Sequence, residues 1–132
     1  MLIKKRESPI HSRPNPKQQT YSSLKDYRER IDSAGVKTHS FISGMSQDDQ
    51  YIFKVTSCIY GEALRNVEDP DMLYYIICFG DFFSPKKANK DFHLTRSQTI
   101  LQGGTMCDFC YHNLKQIPQP EHPNEEFWEK LE

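Results

Sequence analysis

Apolar and polar positions along this chain switch between two periods. In residues 18–34, QQTYSSLKDYRERIDSA, Tyr21, Leu24, Tyr27 and Ile31 recur at helical steps, which predicts a helix with a narrow apolar stripe, stopped by Gly35. VKTHSFIS, residues 36–43, carries β-branched and aromatic residues and reads as a strand. GMSQDDQ turns the chain, and YIFKVTS, residues 51–57, alternates strictly: Tyr51, Phe53 and Val55 fall on one face. The pair predicts a hairpin. CIYGEALRN, residues 58–66, is a short helix candidate. A longer one runs from Asp71 to about Lys87, with Asp69, Pro70 and Asp71 supplying a favourable start. On it Met72, Ile76, Phe79 and Phe83 line one side, and Tyr74, Cys78 and Asp81 line another. FHLTRSQTIL, residues 92–101, returns to the strand pattern. Gly103 and Gly104 turn the chain, and residues 106–114 pair back. The order helix, two strands, two helices, two strands predicts an α+β fold: an antiparallel four-stranded sheet with helices packed on one face.

Composition restricts this folded part. Apolar residues make up 36% of the 132, and the deficit sits at the ends. Residues 1–17 hold three prolines and five basic residues; residues 116–132 hold three prolines and five glutamates. Both read as tails or surface wraps, because such segments bury too little apolar area to offset ordering entropy. The expected organisation is an N-terminal tail over 1–17, one domain over 18–114 and a C-terminal tail over 115–132. A net charge of −1 gives no global field for nucleic acid or membrane, and neither is expected as a partner. No apolar run approaches a membrane span, and the basic N-terminus has no apolar core of a signal peptide, so a cytoplasmic address is expected. In that compartment the four cysteines read as thiols or ligands rather than disulfides.

The chemistry is concentrated in a few positions. Cys107-Asp-Phe-Cys110 has the spacing of half a zinc site or of a redox pair. In a regular strand, however, Cys107 shares a face with Phe109 and Tyr111, while Cys110 shares the other with Asp108 and His112. No second ligand pair accompanies them, so no metal and no cofactor are expected. Cys58 stands where a strand gives way to a helix start, a position that favours a thiolate. Cys78 and Asp81, with Tyr74 one turn earlier, occupy one helix face. Arg96 falls on the strand face of Phe92 and Leu94, where a guanidinium needs a partner: Asp81, or the carboxylate of a ligand.

The stretches VTSCIYGEAL, DMLYYIICFGDFF and RSQTILQGGTMCDFCYH, in this order and spacing, resemble the L-2-amino-thiazoline-4-carboxylic acid hydrolase family. The chain reads as a short member, with only residues 1–35 ahead of the first predicted strand. The resemblance implies Cys58, Cys78, Asp81, Arg96, Thr99, Gly103, Cys107, Asp108 and Phe109 as family-type positions. It implies a hydrolase that opens a small cyclic amidine at a ring carbon–nitrogen bond, giving S-carbamoyl-cysteine. Such chemistry needs a nucleophile, a proton donor for the departing nitrogen and a cation for the substrate carboxylate. The expected catalytic group is Cys58, Cys78, Asp81 and Cys107. Tyr74, Arg96, Thr99 and Asp108 are the expected binding group, with Arg96 as the cation. Two other readings stay open: a non-catalytic small-molecule sensor on the same fold, and a zinc-stabilised interaction module. A small-molecule substrate is the expected partner, and a homodimer is one possible assembly.

Overall fold

A computed structural model describes residues 21–46, 50–63 and 69–131; the predicted tail over 1–17 lies outside them. Helix α1, Leu24–Gly35, starts where the Ser23 side chain accepts a hydrogen bond from the Asp26 amide at 3.2 Å. Leu24 and Tyr27 are buried, and Tyr21 and Ile31 pack beside them, as the stripe predicts. Gly35 matters less as a stop than as a gap. A Cβ there would lie 3.0 Å from the Phe53 ring and 3.2 Å from Phe41, so glycine lets the helix end rest on the sheet.

Strands β1, His39–Ser46, and β2, Gln50–Cys58, form the expected hairpin, with Met45 opposite Tyr51 and a register shift between Ser40 and Phe41. Strands β3, Phe92–Thr95, and β4, Cys107–Asn113, complete an antiparallel sheet of order β1-β2-β4-β3. The fold is therefore α+β, as the pattern indicates. On the α1 side Tyr51, Phe53, Val55, Phe92, Leu94, Cys107 and Tyr111 form the main core. Its centre is aromatic: Tyr51 stacks on Tyr111 at 5.1 Å, and Phe53 meets Phe109 edge-on at 5.7 Å. Asp32 ties helix to sheet by accepting from the Tyr51 hydroxyl at 2.8 Å, the Ser43 hydroxyl at 2.8 Å and Arg28 Nε at 3.2 Å.

The opposite face is covered by part of the segment expected as a C-terminal tail or surface wrap. Helix α5, Glu125–Lys130, closes over that face with Trp128 fully buried against Met106 and Cys110. Lys54 Nζ donates to the carbonyls of Trp128 at 2.6 Å and Leu131 at 3.1 Å, satisfying the helix's last acceptors. His122 bridges Asp108 at 2.8 Å and Thr95 at 2.7 Å, and Thr95 also meets His112 at 2.8 Å. One tryptophan and one lysine of this sequence supply what its prolines and glutamates conceal, and the folded unit runs through Leu131.

The long helix expected over 71–87 is broken. After α2, Ile59–Ala63, come α3, Pro70–Leu73, a π turn over Tyr74–Cys78, a 3-10 turn over Phe79–Phe82, and α4, Ser84–Ala88. Two features accompany the break. Both terminal nitrogens of Arg96 donate to the Cys78 carbonyl at 3.4 Å, drawing it toward the core, and Pro85 has no amide to continue a helix through α4. The strand expected over 92–101 likewise stops at Thr95. The amides of Ser97 and Gln98 turn away to the Asp108 carboxylate, each at 2.9 Å. A 3-10 turn over Ile100–Gln102 follows.

Candidate active site

Between the end of α1, the sheet and the broken segment lies a cavity of about 460 Å³. The end of β2 contributes Cys58, the start of β4 contributes Cys107, and the π and 3-10 turns contribute Cys78 and Asp81. Residues distant in the chain meet here because β2 and β4 are neighbours, with Val55 paired to Cys107. Phe53, Phe109 and Tyr111 make an apolar floor. All four expected catalytic positions thus border one space. Cys58 also borders a second, shallower cavity of about 390 Å³, with Thr56, Gly61 and Thr105.

The electrostatics separate the thiols. Burial, then the Asp81 charge, pushes the Cys78 thiol up to about 11. Burial pushes Cys107 up to about 12 against the amide of Ile100, which donates to its sulfur at 3.2 Å. Both stay protonated at neutral pH, so neither supplies a standing thiolate. Burial also raises the Asp81 carboxyl, and Arg96 only partly offsets it. A raised carboxyl is a stronger proton acceptor than an ordinary one, which suits it to proton transfer.

Arg96 sits behind the cavity wall. Its side chain is 1% exposed, against 38% for Asp81, and Nη1 donates to Asp81 Oδ2 at 3.1 Å. Nη2 donates to the Tyr74 hydroxyl at 2.9 Å. The guanidinium lies over the rings of Phe82 at 4.6 Å and Phe109 at 5.1 Å. Of the two partners the sequence offers, the internal one holds it. Arg96 and Tyr74 do not line the cavity; they fix the carboxylate that does.

Thr99 and Asp108, expected to bind substrate, are committed elsewhere. The Thr99 hydroxyl accepts from the Gln102 amide at 3.1 Å and donates to Gln102 Oε1 at 2.9 Å, closing the 3-10 turn. Asp108 accepts from Ser97, Gln98 and His122 and braces the loop before β4. Burial alone would raise its carboxyl, but these donors hold it below the usual range. Strand alternation is the reason: Asp108 faces away from Cys107 and Phe109. Gly103, at φ 94°, supplies the left-handed residue that ends the turn. Cys107 and Cys110 enter different apolar clusters, as alternation predicts. Among the described residues, no group of three or more His, Cys, Asp or Glu side chains is placed to hold a metal ion.

One lining residue escapes sequence reasoning. His39 starts β1 at the cavity rim, its Nδ1 2.6 Å from the Thr38 hydroxyl, and burial lowers it from the ordinary histidine value. A lone histidine in a strand gives no sequence signal of this.

The fold and cavity define an α+β domain with a thiol- and carboxyl-lined pocket. The profile of the L-2-amino-thiazoline-4-carboxylic acid hydrolase family matches residues 15–111, and the chain belongs to that family. No curated protein and no solved structure matches it. Among the described residues, no helix is long and apolar enough to cross a membrane.

Proposed function

We propose that this protein hydrolyses a small cyclic amidine of the 2-amino-thiazoline-4-carboxylate kind, within the cavity bordered by Cys58, Cys78, Asp81 and Cys107. The observation that carries the reading is the placement of a raised carboxyl, fixed from behind by a buried arginine, in an apolar space beside three thiols. Water oxygen adds to the amidine carbon, the carbon–nitrogen ring bond breaks, and S-carbamoyl-cysteine results. Asp81 takes one proton from water and passes it to the ring nitrogen, then moves the hydroxyl proton of the tetrahedral adduct to the same nitrogen as the carbon–nitrogen bond breaks; both water protons end on the new amine and the enzyme regains its starting state. His39, whose protonated form burial disfavours, lies on the same cavity as a second proton acceptor. Cys78 and Cys107 act as neutral walls, and Cys58 is the thiol left as an alternative nucleophile. Arg96 is a positioning residue, because its two terminal nitrogens are taken by Asp81, the Tyr74 hydroxyl and the Cys78 carbonyl.

That occupation, with two thiols held protonated, favours a second reading: a domain that binds the heterocycle without turning it over. Incubation of the purified protein with 2-amino-thiazoline-4-carboxylate, followed by mass spectrometry, separates the two. Catalytic formation of S-carbamoyl-cysteine supports the hydrolase. Saturable binding without product supports the sensor, and neither binding nor product removes this substrate class.

A further inference from the structure

The segment that walls the cavity has a second side. Tyr74, Ile77, Cys78 and Asp81 point inward to Arg96 or the cavity. Met72, Tyr75, Ile76, Phe79 and Phe83 point outward and are 41–72% exposed. They form a continuous aromatic ladder: the Tyr75 and Phe83 rings each lie 5.6 Å from the Phe79 ring, edge-on. Scattered apolar side chains on a surface are ordinary, but a contiguous stripe of five on one short segment marks an interaction face. The pattern of this stripe also says what covers it. Its ends carry opposite charge, with Asp69 and Asp71 exposed at one and Lys86 and Lys87 exposed at the other. Tyr75 and Phe83 stand equally far along the chain from Phe79, and so do Asp71 and Lys87. A stripe of this kind is complementary to its own reverse.

We propose that the chain pairs with a second copy of itself through the outer face of residues 71–87, antiparallel about a two-fold axis at Phe79. In that arrangement Phe79 meets the partner's Phe79, Tyr75 meets the partner's Phe83, and Asp71 meets the partner's Lys87. A two-fold interface must be self-complementary, and in chain order Tyr75, Phe79 and Phe83 meet that condition at the centre and Asp71 and Lys87 at the ends. Pairing would brace the π and 3-10 turns that carry Cys78 and Asp81 from behind. The inference rests on exposure and charge alone, so it stands whichever reading of the cavity holds.

Sedimentation velocity over a concentration series tests it. The wild type should show a monomer–dimer equilibrium. Ile76→Glu and Phe79→Asp should be monomeric over the same range, with circular dichroism unchanged, because both side chains are exposed. Asp71→Lys should weaken pairing by about tenfold or more, because it sets like charges together. Adding Lys87→Asp to it should restore pairing. A wild type that stays monomeric into the hundreds of micromolar range overturns the proposal. So does a dimer that persists in both apolar-face variants, since another face then pairs. Failure of the charge swap to restore association overturns the antiparallel register.

Discussion

Arg96→Lys isolates what the buried guanidinium does for the site. The arginine reaches Asp81 at 3.1 Å, the Tyr74 hydroxyl at 2.9 Å and the Cys78 carbonyl at 3.4 Å, and lies over three rings. A lysine keeps the charge but has no fork, and one ammonium cannot meet all three acceptors. Losing two such hydrogen bonds removes roughly 2–4 kcal/mol gross, and losing the ring contacts about 1 kcal/mol more. Asp81 is 38% exposed, so water takes over part of what it loses. The net cost is therefore set at roughly 2–4 kcal/mol, which for a domain of this size lowers the melting temperature by about 10–20 °C. Differential scanning calorimetry at neutral pH reads it, with urea melts giving the free energy. A variant melting within about 2 °C of wild type would show that the guanidinium is not the anchor of this wall. Asp81→Asn is the companion variant: its amide oxygen still accepts from Arg96, so its melting temperature should fall less.

The remaining predictions concern the C-terminal segment, the thiols and acid stability. Burial, then His93 and His122, pushes His112 down to about 4. The unfolded chain takes up that proton near pH 6.5 and the folded one does not, so stability is lost as pH falls from about 6.5 to about 4, by roughly 3 kcal/mol. Urea melts across that window should show the loss, and His112→Gln should flatten it; an unchanged slope in the variant would assign the loss to other groups. Trp128, 1% exposed, is the only tryptophan in the sequence. Its fluorescence should be blue-shifted and resistant to iodide, and Trp128→Ala should cost roughly 3–5 kcal/mol; emission typical of water would contradict the packed C-terminal segment. In alkylation mapped by mass at pH 8, Cys58, which borders both cavities, should label before Cys78 and Cys107, whose thiols are held up by burial. The reverse order would remove Cys58 as the alternative nucleophile.

The sequence carried the sheet clearly, because alternation in residues 51–57 and 107–113 leaves one reading of each face. The same alternation separated Cys107 from Cys110, and it placed Asp108, expected in the binding group, away from the pocket. Helical spacing set Tyr74, Cys78 and Asp81 on the face that Arg96 meets, although the helix itself is broken. That break was legible only in part: Pro85 stands in the sequence, but the hydrogen bonds from Arg96 to the Cys78 carbonyl join positions distant in the chain. The C-terminal segment was hidden for a related reason. Its proline and glutamate content signals solvent; Asn124 caps α5 locally, but Trp128 finds its place through Cys110, Met106 and Lys54, all distant in the chain. His39 was illegible because the cavity is assembled from elements distant in the chain.

The account turns on Asp81 as the proton carrier of the cavity, and one comparison tests that directly. Wild type and Asp81→Asn are given 2-amino-thiazoline-4-carboxylate at neutral pH, and S-carbamoyl-cysteine is followed by mass spectrometry, with circular dichroism confirming that both are folded. The account predicts turnover by the wild type and a fall of about 10²–10⁴-fold in kcat for the variant, the range expected when a positioned acid–base group is lost. Equal turnover by the two proteins would contradict it, as would a wild type that binds the thiazoline and releases no product.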